Sequence, residues 1–212
     1  NWPPDFLTRM QTYFRIEYDT FLEGLSKPAP VSIRMNERKA IRQFDSCKSI
    51  PWSRSGFYLE ERPSFTLDPL FHAGCYYVQE AGSQFLEQLF LHAIKETEEP
   101  IVLDLCAAPG GKSTHLLSLM NGEGLLVSNE VISSRNKVLQ QNIAKWGFAN
   151  SIVTQNDSSD FSKAGELFDV IVVDAPCSGE GLFRRDPNAA NEWSETAVTA
   201  CSVRQQEILD NI

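Results

Sequence analysis

Residues 101–112 read Ile-Val-Leu-Asp-Leu-Cys-Ala-Ala-Pro-Gly-Gly-Lys, and residues 170–181 read Val-Ile-Val-Val-Asp-Ala-Pro-Cys-Ser-Gly-Glu-Gly. Each is a continuous apolar run that ends in an Asp and passes into small residues. Continuous apolar runs mark strands buried on both faces, as in a parallel sheet. Open sheets of that kind bind nucleotides beyond the carboxyl ends of their strands. The neighbouring sequence keeps the rhythm. Strands are predicted at 101–105, 125–128, 152–154 and 168–173, with helices at about 112–120 and 133–146 and a last helical pattern from Glu195 onward. Alternating strands and helices imply an α/β, Rossmann-like, doubly wound parallel sheet with right-handed crossovers.

Upstream the pattern is smaller in scale. Helical spacing through Phe6, Met10, Phe14, Tyr18, Phe21, Leu22 and Leu25 ends at Pro28 and Pro30. Short strands are expected at 31–35 and 56–59, a helical turn at 37–44, an apolar run at 75–78 and a helix at 80–94. In that helix Phe85, Leu86, Leu89, Phe90 and Ala93 are the expected buried side. Two domains follow: a small N-terminal α/β appendage over 1–75 and a larger Rossmann-like sheet domain over 76–212. Only four sheet strands precede Ile212, so the sheet is expected to be truncated at the C-terminus and the chain to be a piece of a longer protein.

Composition narrows the classes. The apolar share is 42%, and no apolar run approaches the roughly 18 residues of a membrane span. The opening Asn-Trp-Pro-Pro-Asp does not read as a signal peptide. The five Cys (47, 75, 106, 177 and 201) form no Cys-x-x-Cys pair, which argues against a zinc knuckle or disulfide framework and for reduced cytoplasmic thiols. The net charge is −9; residues 1–75 carry ten Lys/Arg against nine Asp/Glu, and the rest nine against nineteen. An acidic chain meets nucleic acid only through local basic spots. Arg34, Arg38, Lys39 and Arg42 form one candidate, with a solvated helix face as the competing account, and Arg184 with Arg185 another.

The loop from Cys106 to Lys112 turns between strand and helix, and Gly110 and Gly111 allow close backbone approach to a ligand. Gly111-Lys112-Ser113 imitates the end of a P-loop, but Cys106 stands where the first Gly is required. Glu130 follows the second strand and suits ribose hydroxyls; Asp157 follows the third and suits adenine; Asp174 ends the fourth. A ligand's ammonium could meet Asp104. Asp174-Ala-Pro-Cys177 suggests chemistry on a pyrimidine, in which a carboxylate holds N3 while a thiolate adds to carbon 6 and carbon 5 takes a methyl group. The competing account of Cys177 is a small packed residue in a tight turn.

On residues 103–112, Asn129-Glu130, Asn156-Asp157 and 174–181, the chain resembles the S-adenosylmethionine-dependent RNA 5-methylcytosine methyltransferases of the Nol/Nop/Sun group. Residues 4–7, 32–36, 77–81 and 177–187 make it similar, within that group, to the bacterial 16S rRNA enzymes of the RsmF type. The resemblance implies that Cys106, Ala107, Ala108, Pro109, Gly110, Gly111 and Lys112 line the methionine and ribose part of S-adenosylmethionine. It also implies that Glu130 takes the ribose, Asp157 the adenine, and that Asp174 lies between cofactor and cytosine. Cys177 would assist product release. The family's nucleophile is a Thr-Cys cysteine one strand further on, expected beyond Ile212. The implied partners are RNA, above all 16S rRNA of the small ribosomal subunit, in the cytoplasm, without metal or membrane. The alternatives are a tRNA cytosine-5 methyltransferase, an enzyme with Cys177 as nucleophile in the manner of DNA cytosine-5 methyltransferases, and a non-catalytic cofactor- and RNA-binding module.

Overall fold

The computed structural model describes residues 2–39, 43–44 and 46–212. These form two compact units, Pro30–Asp174 and a second built from Asn1–Ala29 together with Ala175–Ile212.

The first unit holds two sheets. Strands β1 (Val31–Met35), β2 (Lys48–Ser49), β3 (Gly56–Leu59) and β4 (Tyr76–Val78) pair antiparallel in the order β2-β3-β1-β4. Strands β5 (Ile101–Asp104), β6 (Leu125–Asn129), β7 (Ser151–Thr154) and β8 (Val170–Val172) pair in parallel in the order β7-β6-β5-β8. The chain steps outward from β5 to β7 and then returns to the other side of β5. That reversal makes a switch point beside the end of β5, where such sheets open a crevice for ligand. Three helices line one face of this sheet: α4 (Leu86–Ala93), α5 (Gly111–Met120) and α6 (Ser133–Trp146). Their Phe90, Leu116, Leu117, Met120, Leu139, Ile143 and Trp146 bury against Val102 and Leu126. Removing that apolar surface from water is the main favourable term holding the layers together.

The small sheet has its own core of Ile33, Met35, Phe44, Phe65, Cys75 and Tyr76. It is tied to the parallel-sheet layer by polar side chains. Asn36 Nδ2 donates to the carbonyls of Gly74 (3.1 Å) and Trp146 (2.9 Å). Lys39 Nζ donates to the carbonyls of Ala73 and Lys145. Arg38 donates to the Asn121 carbonyl and lies 4.0 Å over the Phe148 ring.

The second unit joins the two ends of the chain. α1 (Pro4–Phe14) and α2 (Tyr18–Ser26) meet α8 (Pro187–Glu192) and α9 (Glu195–Leu209), numbering the short α3 (Pro69–His72) and α7 (Ser158–Phe161) between them. Phe6, Met10, Phe183, Ala190 and Trp193 are its core. Phe6 meets Phe183 and Trp193 edge to face, with centroids 5.0 and 5.9 Å apart. Arg184 donates to the carbonyls of Lys27 and Pro28.

Several sequence expectations need correction. Arg34 is not an RNA-facing cation: it is fully buried. Arg38 and Lys39 are committed to backbone carbonyls, and Arg42 lies outside the described residues. Residues 37–38 and 43–44 are turns, so no helix forms on them, while 40–42 lie outside the described residues. The helix expected from Glu80 opens instead as a 3-10 turn over Gly82–Phe85. The tighter winding changes the phase, so Gln84, Glu87 and Phe90 face inward and Phe85 and Leu89 face solvent. Polar residues can face inward there because partners await them, as His115 Nε2 does at 3.2 Å from Glu87.

Candidate cofactor and catalytic site

Four acidic residues stand at the carboxyl ends of the parallel strands: Asp104 ends β5, Glu130 follows β6, Asp157 follows β7 and Asp174 follows β8. Parallel register puts these ends on one side of the sheet.

The loop after β5 is held in shape by neighbouring elements. The Ala107 N–H donates to the Asn129 carbonyl at 2.8 Å and the Gly110 N–H to the Ala107 carbonyl at 2.8 Å. From α6, Arg135 donates to the Ala108 carbonyl and Asn142 to that of Pro109. Gly110 caps α5 with φ at +106°, a region L side chains rarely enter, and a Cβ there would meet Leu139 at 3.1 Å. Gly111 is tight against Tyr77: a Cβ would lie 3.3 Å from its ring. The first N–H groups of α5 have no partner within the helix and bear the positive end of its dipole, a setting for a carboxylate or phosphate.

Asp104 is fully buried. One carboxylate oxygen accepts from Ser113 Oγ at 2.6 Å, and the other has no partner. Burial, reinforced by the charge of Asp174, pushes its pKa up to about 6, although Ser113 and Lys112 pull the other way. Ser128, its register partner on β6, likewise has a buried hydroxyl without a partner. Half-buried Cys106 sits among acids: burial first, then Asp104, Glu130 and Asp174, push its thiol up to about 11. Such a thiol stays protonated at neutral pH and is no nucleophile.

Asn129 is the hinge between the strand ends. Its Nδ2 donates to the carbonyls of Leu105 (3.1 Å) and Asn156 (3.0 Å), and its Oδ1 accepts from Thr154 Oγ1 and the Asn156 N–H. Glu130 is buried, with Oε1 accepting from the Ile132 N–H at 2.9 Å and Oε2 lying 3.5 Å from Arg135. Asp157 is exposed and caps α7 by accepting from the N–H and hydroxyl of Ser159, which holds its carboxyl below the usual range. Asp174 is ion-paired with Lys112. Thus the loop, Asp104, Glu130, Asp157 and Asp174 all belong to the one unit.

Cys177 lies three residues further along, in the other unit, and its thiol is exposed. Its loop is anchored there: Glu180 accepts from Trp193 Nε1 at 2.8 Å and stands 3.5 Å from Arg9, and Gln205 donates to the Pro176 carbonyl. Among the described residues no group of three His, Cys, Asp or Glu side chains could hold a metal ion, and no helix is long and apolar enough to cross a membrane. Ser113, Asn129 and Arg135 shape the site without having been assigned roles from sequence. The adjacency of Asn129 to Glu130 was a signal for one of them; the other two needed the helices to be placed.

Comparison with known proteins gives a consistent result. The family model for the N-terminal domain of 16S rRNA methyltransferase RsmF matches residues 2–81, and that for 16S rRNA methyltransferase RsmB/F matches residues 91–212. Ribosomal RNA small subunit methyltransferase F of Serratia proteamaculans is 37% identical, over 99% of this chain and 46% of its own length. The protein of that name from Shewanella loihica is 35% identical, over 92% of this chain and 43% of its own. The chain therefore spans about half the length of the curated relatives it matches. Among solved structures, a methyltransferase homolog protein from Pyrococcus horikoshii aligns with a TM-score of 0.76 at 28% identity, covering 98% of this chain and 70% of that one. NSun6 from Pyrococcus horikoshii shares the fold, with a TM-score of 0.79 at 16% identity, covering 99% and 79%. With models matched on both sides of residue 81 and relatives aligned along nearly its whole length, the chain belongs to the RsmB/F family of 16S rRNA methyltransferases.

Proposed function

We propose that this protein takes part in S-adenosylmethionine-dependent methylation of carbon 5 of a cytosine in RNA, with 16S rRNA of the small ribosomal subunit as substrate and the cytoplasm as its place of work. The observation that carries this is the row of strand-end acids beside a glycine loop at a helix N-terminus, the last acid leading directly into Pro176-Cys177. The residues fit the cofactor: a buried carboxylate oxygen of Asp104 lacks a partner, and Gly110 and Gly111 let the loop backbone pack closely against Leu139 and Tyr77, where a side chain would not fit. When bound, the cofactor supplies an activated methyl group. Cys106, Ala107, Ala108, Pro109, Gly110, Gly111 and Lys112 hold its methionine and ribose part, Glu130 its ribose hydroxyls and Asp157 its adenine. Asp174 exchanges its ion pair with Lys112 for the N3 edge of the cytosine, where it holds a proton. The cytosine must leave its stack to reach this acid. Cys177 assists release of the methylated base. Residues 76–212 act as the methyltransferase domain and residues 1–75 as the RNA-side appendage, without Arg34 as a contact.

The test is to mix the chain with labelled S-adenosylmethionine and unmodified 16S rRNA, and to measure cofactor retention and label in 5-methylcytosine. Retention that Glu130→Ala abolishes supports the cofactor site. Transfer to cytosine would make Cys177 sufficient as nucleophile and overturn its release role. Absence of retention would overturn the cofactor reading.

A further inference from the structure

Arg34 is among the largest fully buried side chains of the protein. From the middle of β1 its guanidinium makes five hydrogen bonds. Nε donates to Gln79 Oε1 at 2.8 Å. Nη1 donates to the Thr114 carbonyl and Ser118 Oγ, both at 3.4 Å. Nη2 donates to Thr114 Oγ1 at 2.7 Å and the Gly111 carbonyl at 3.2 Å. The flat face lies 4.6 Å from the Trp146 ring centroid. Three of these four bonding residues, Gly111, Thr114 and Ser118, lie on α5. None of the five acceptors is a carboxylate. Burial lowers the Arg34 pKa only to about 9, so the group is charged at neutral pH.

Tyr77, on the neighbouring strand β4, completes the grip. Its ring backs Gly111, and its hydroxyl donates to the Pro109 carbonyl at 3.5 Å. Two strands of the small sheet therefore hold the stretch from Pro109 to Thr114 from behind. A clasp alone does not require a charge, and burying a cation with no carboxylate among its hydrogen-bond partners is costly, even with Glu87 and Glu37 favouring the charge from further off. A cation in a low-dielectric setting beside a helix N-terminus does something an uncharged clasp does not: it adds to the positive potential felt by an anion approaching the free N–H groups.

We propose that Arg34 is a positioning residue of the cofactor site, fixing the first turn of α5 and raising its positive potential so that the carboxylate end of an amino-acid-bearing nucleoside is held there. This inference rests on the cofactor reading of the 106–112 loop. The small sheet is then part of the cofactor site and not only an appendage to it.

The test compares two probes on the same chain: S-adenosylhomocysteine, which carries the amino-acid carboxylate, and methylthioadenosine, which does not. Arg34→Lys keeps a charge but loses the fork, and Arg34→Met loses both. Each is expected to weaken S-adenosylhomocysteine selectively, roughly tenfold for Lys and more for Met, with methylthioadenosine changed less than about twofold. Thr114→Val removes one acceptor and should give the same selectivity at roughly threefold; with Arg34→Lys it carries the test if Arg34→Met does not fold. Equal loss of both probes would mean a purely structural clasp and overturn the inference, as would no loss of either. Failure of the unaltered chain to bind S-adenosylhomocysteine at all would instead overturn the cofactor reading, and the inference with it.

Discussion

Two buried charges sit on neighbouring layers of the same unit and are treated oppositely. Arg34, on the antiparallel sheet, has five hydrogen bonds and an aromatic face. Asp104, on the parallel sheet, has one oxygen satisfied by Ser113 and one left without a partner. Both are fully buried. A buried charge whose every donor is placed behaves as architecture; a buried charge left half satisfied marks a place where something else is meant to complete it. Here the completed charge braces α5, and the incomplete one stands at the strand end from which the loop runs into α5.

The strongest way to break this comparison is Arg34→Met. It removes five hydrogen bonds at once and leaves Gln79 Oε1 without its donor, and should cost roughly 3–5 kcal/mol of stability by urea unfolding. A loss below about 1 kcal/mol would show that the network is not the brace described. Next is Asp104→Asn. Because the folded protein holds this carboxyl at about 6, above its ordinary 3.8, the fold favours the protonated form. Its contribution is complete below about pH 4 and is lost as pH rises through about 6. Relative to the Asn variant, the unaltered chain should therefore lose up to roughly 3 kcal/mol between pH 4 and pH 7.5. Parallel pH profiles for the two would mean that Asp104 is better solvated than its burial implies.

Smaller effects sharpen the picture. Gly110→Ala forces a side chain into positive φ and against Leu139; a destabilisation of roughly 1–3 kcal/mol is expected in thermal unfolding, with loss of cofactor retention. Cys177→Ala, at an exposed thiol, should leave unfolding unchanged within about 0.5 kcal/mol. If Cys177 serves release, the same variant should accumulate a covalent RNA adduct on a methylation-competent protein, which denaturing gels would reveal; absence of adduct with lost transfer would make it the nucleophile.

What the sequence disclosed follows from distance along the chain. Strands β5, β6 and β8 show themselves as local apolar runs, and α6 as a local period closed by Gly147, so their places were legible. The strand-end acids were legible because loop chemistry repeats at each strand end. Arg34 was not: its partners stand at 79, 111, 114 and 118, and nothing in the composition of 31–39 separates a buried clasp from a solvated spot. Nor was the inward turn of Gln84 and Glu87, which depends on His115 and on the 3-10 opening of that segment. α8 carries a local signal of its own, Asp186 capping a helix with Pro187 at its first position.

The pairing of α1 with residues near 183 and 193 has a consequence in time. Phe6 cannot meet Phe183 or Trp193 until some 180 residues more have been made. At about 5–20 residues per second that is a wait of roughly 10–40 s. During it the apolar side of α1, with Phe6 and Met10, has only α2 to cover it, through Phe21, while β1 to β8 can already assemble. A helix made early is thus among the last to find its place, and the segment carrying Cys177 is set in order only when that earlier-made helix returns to it.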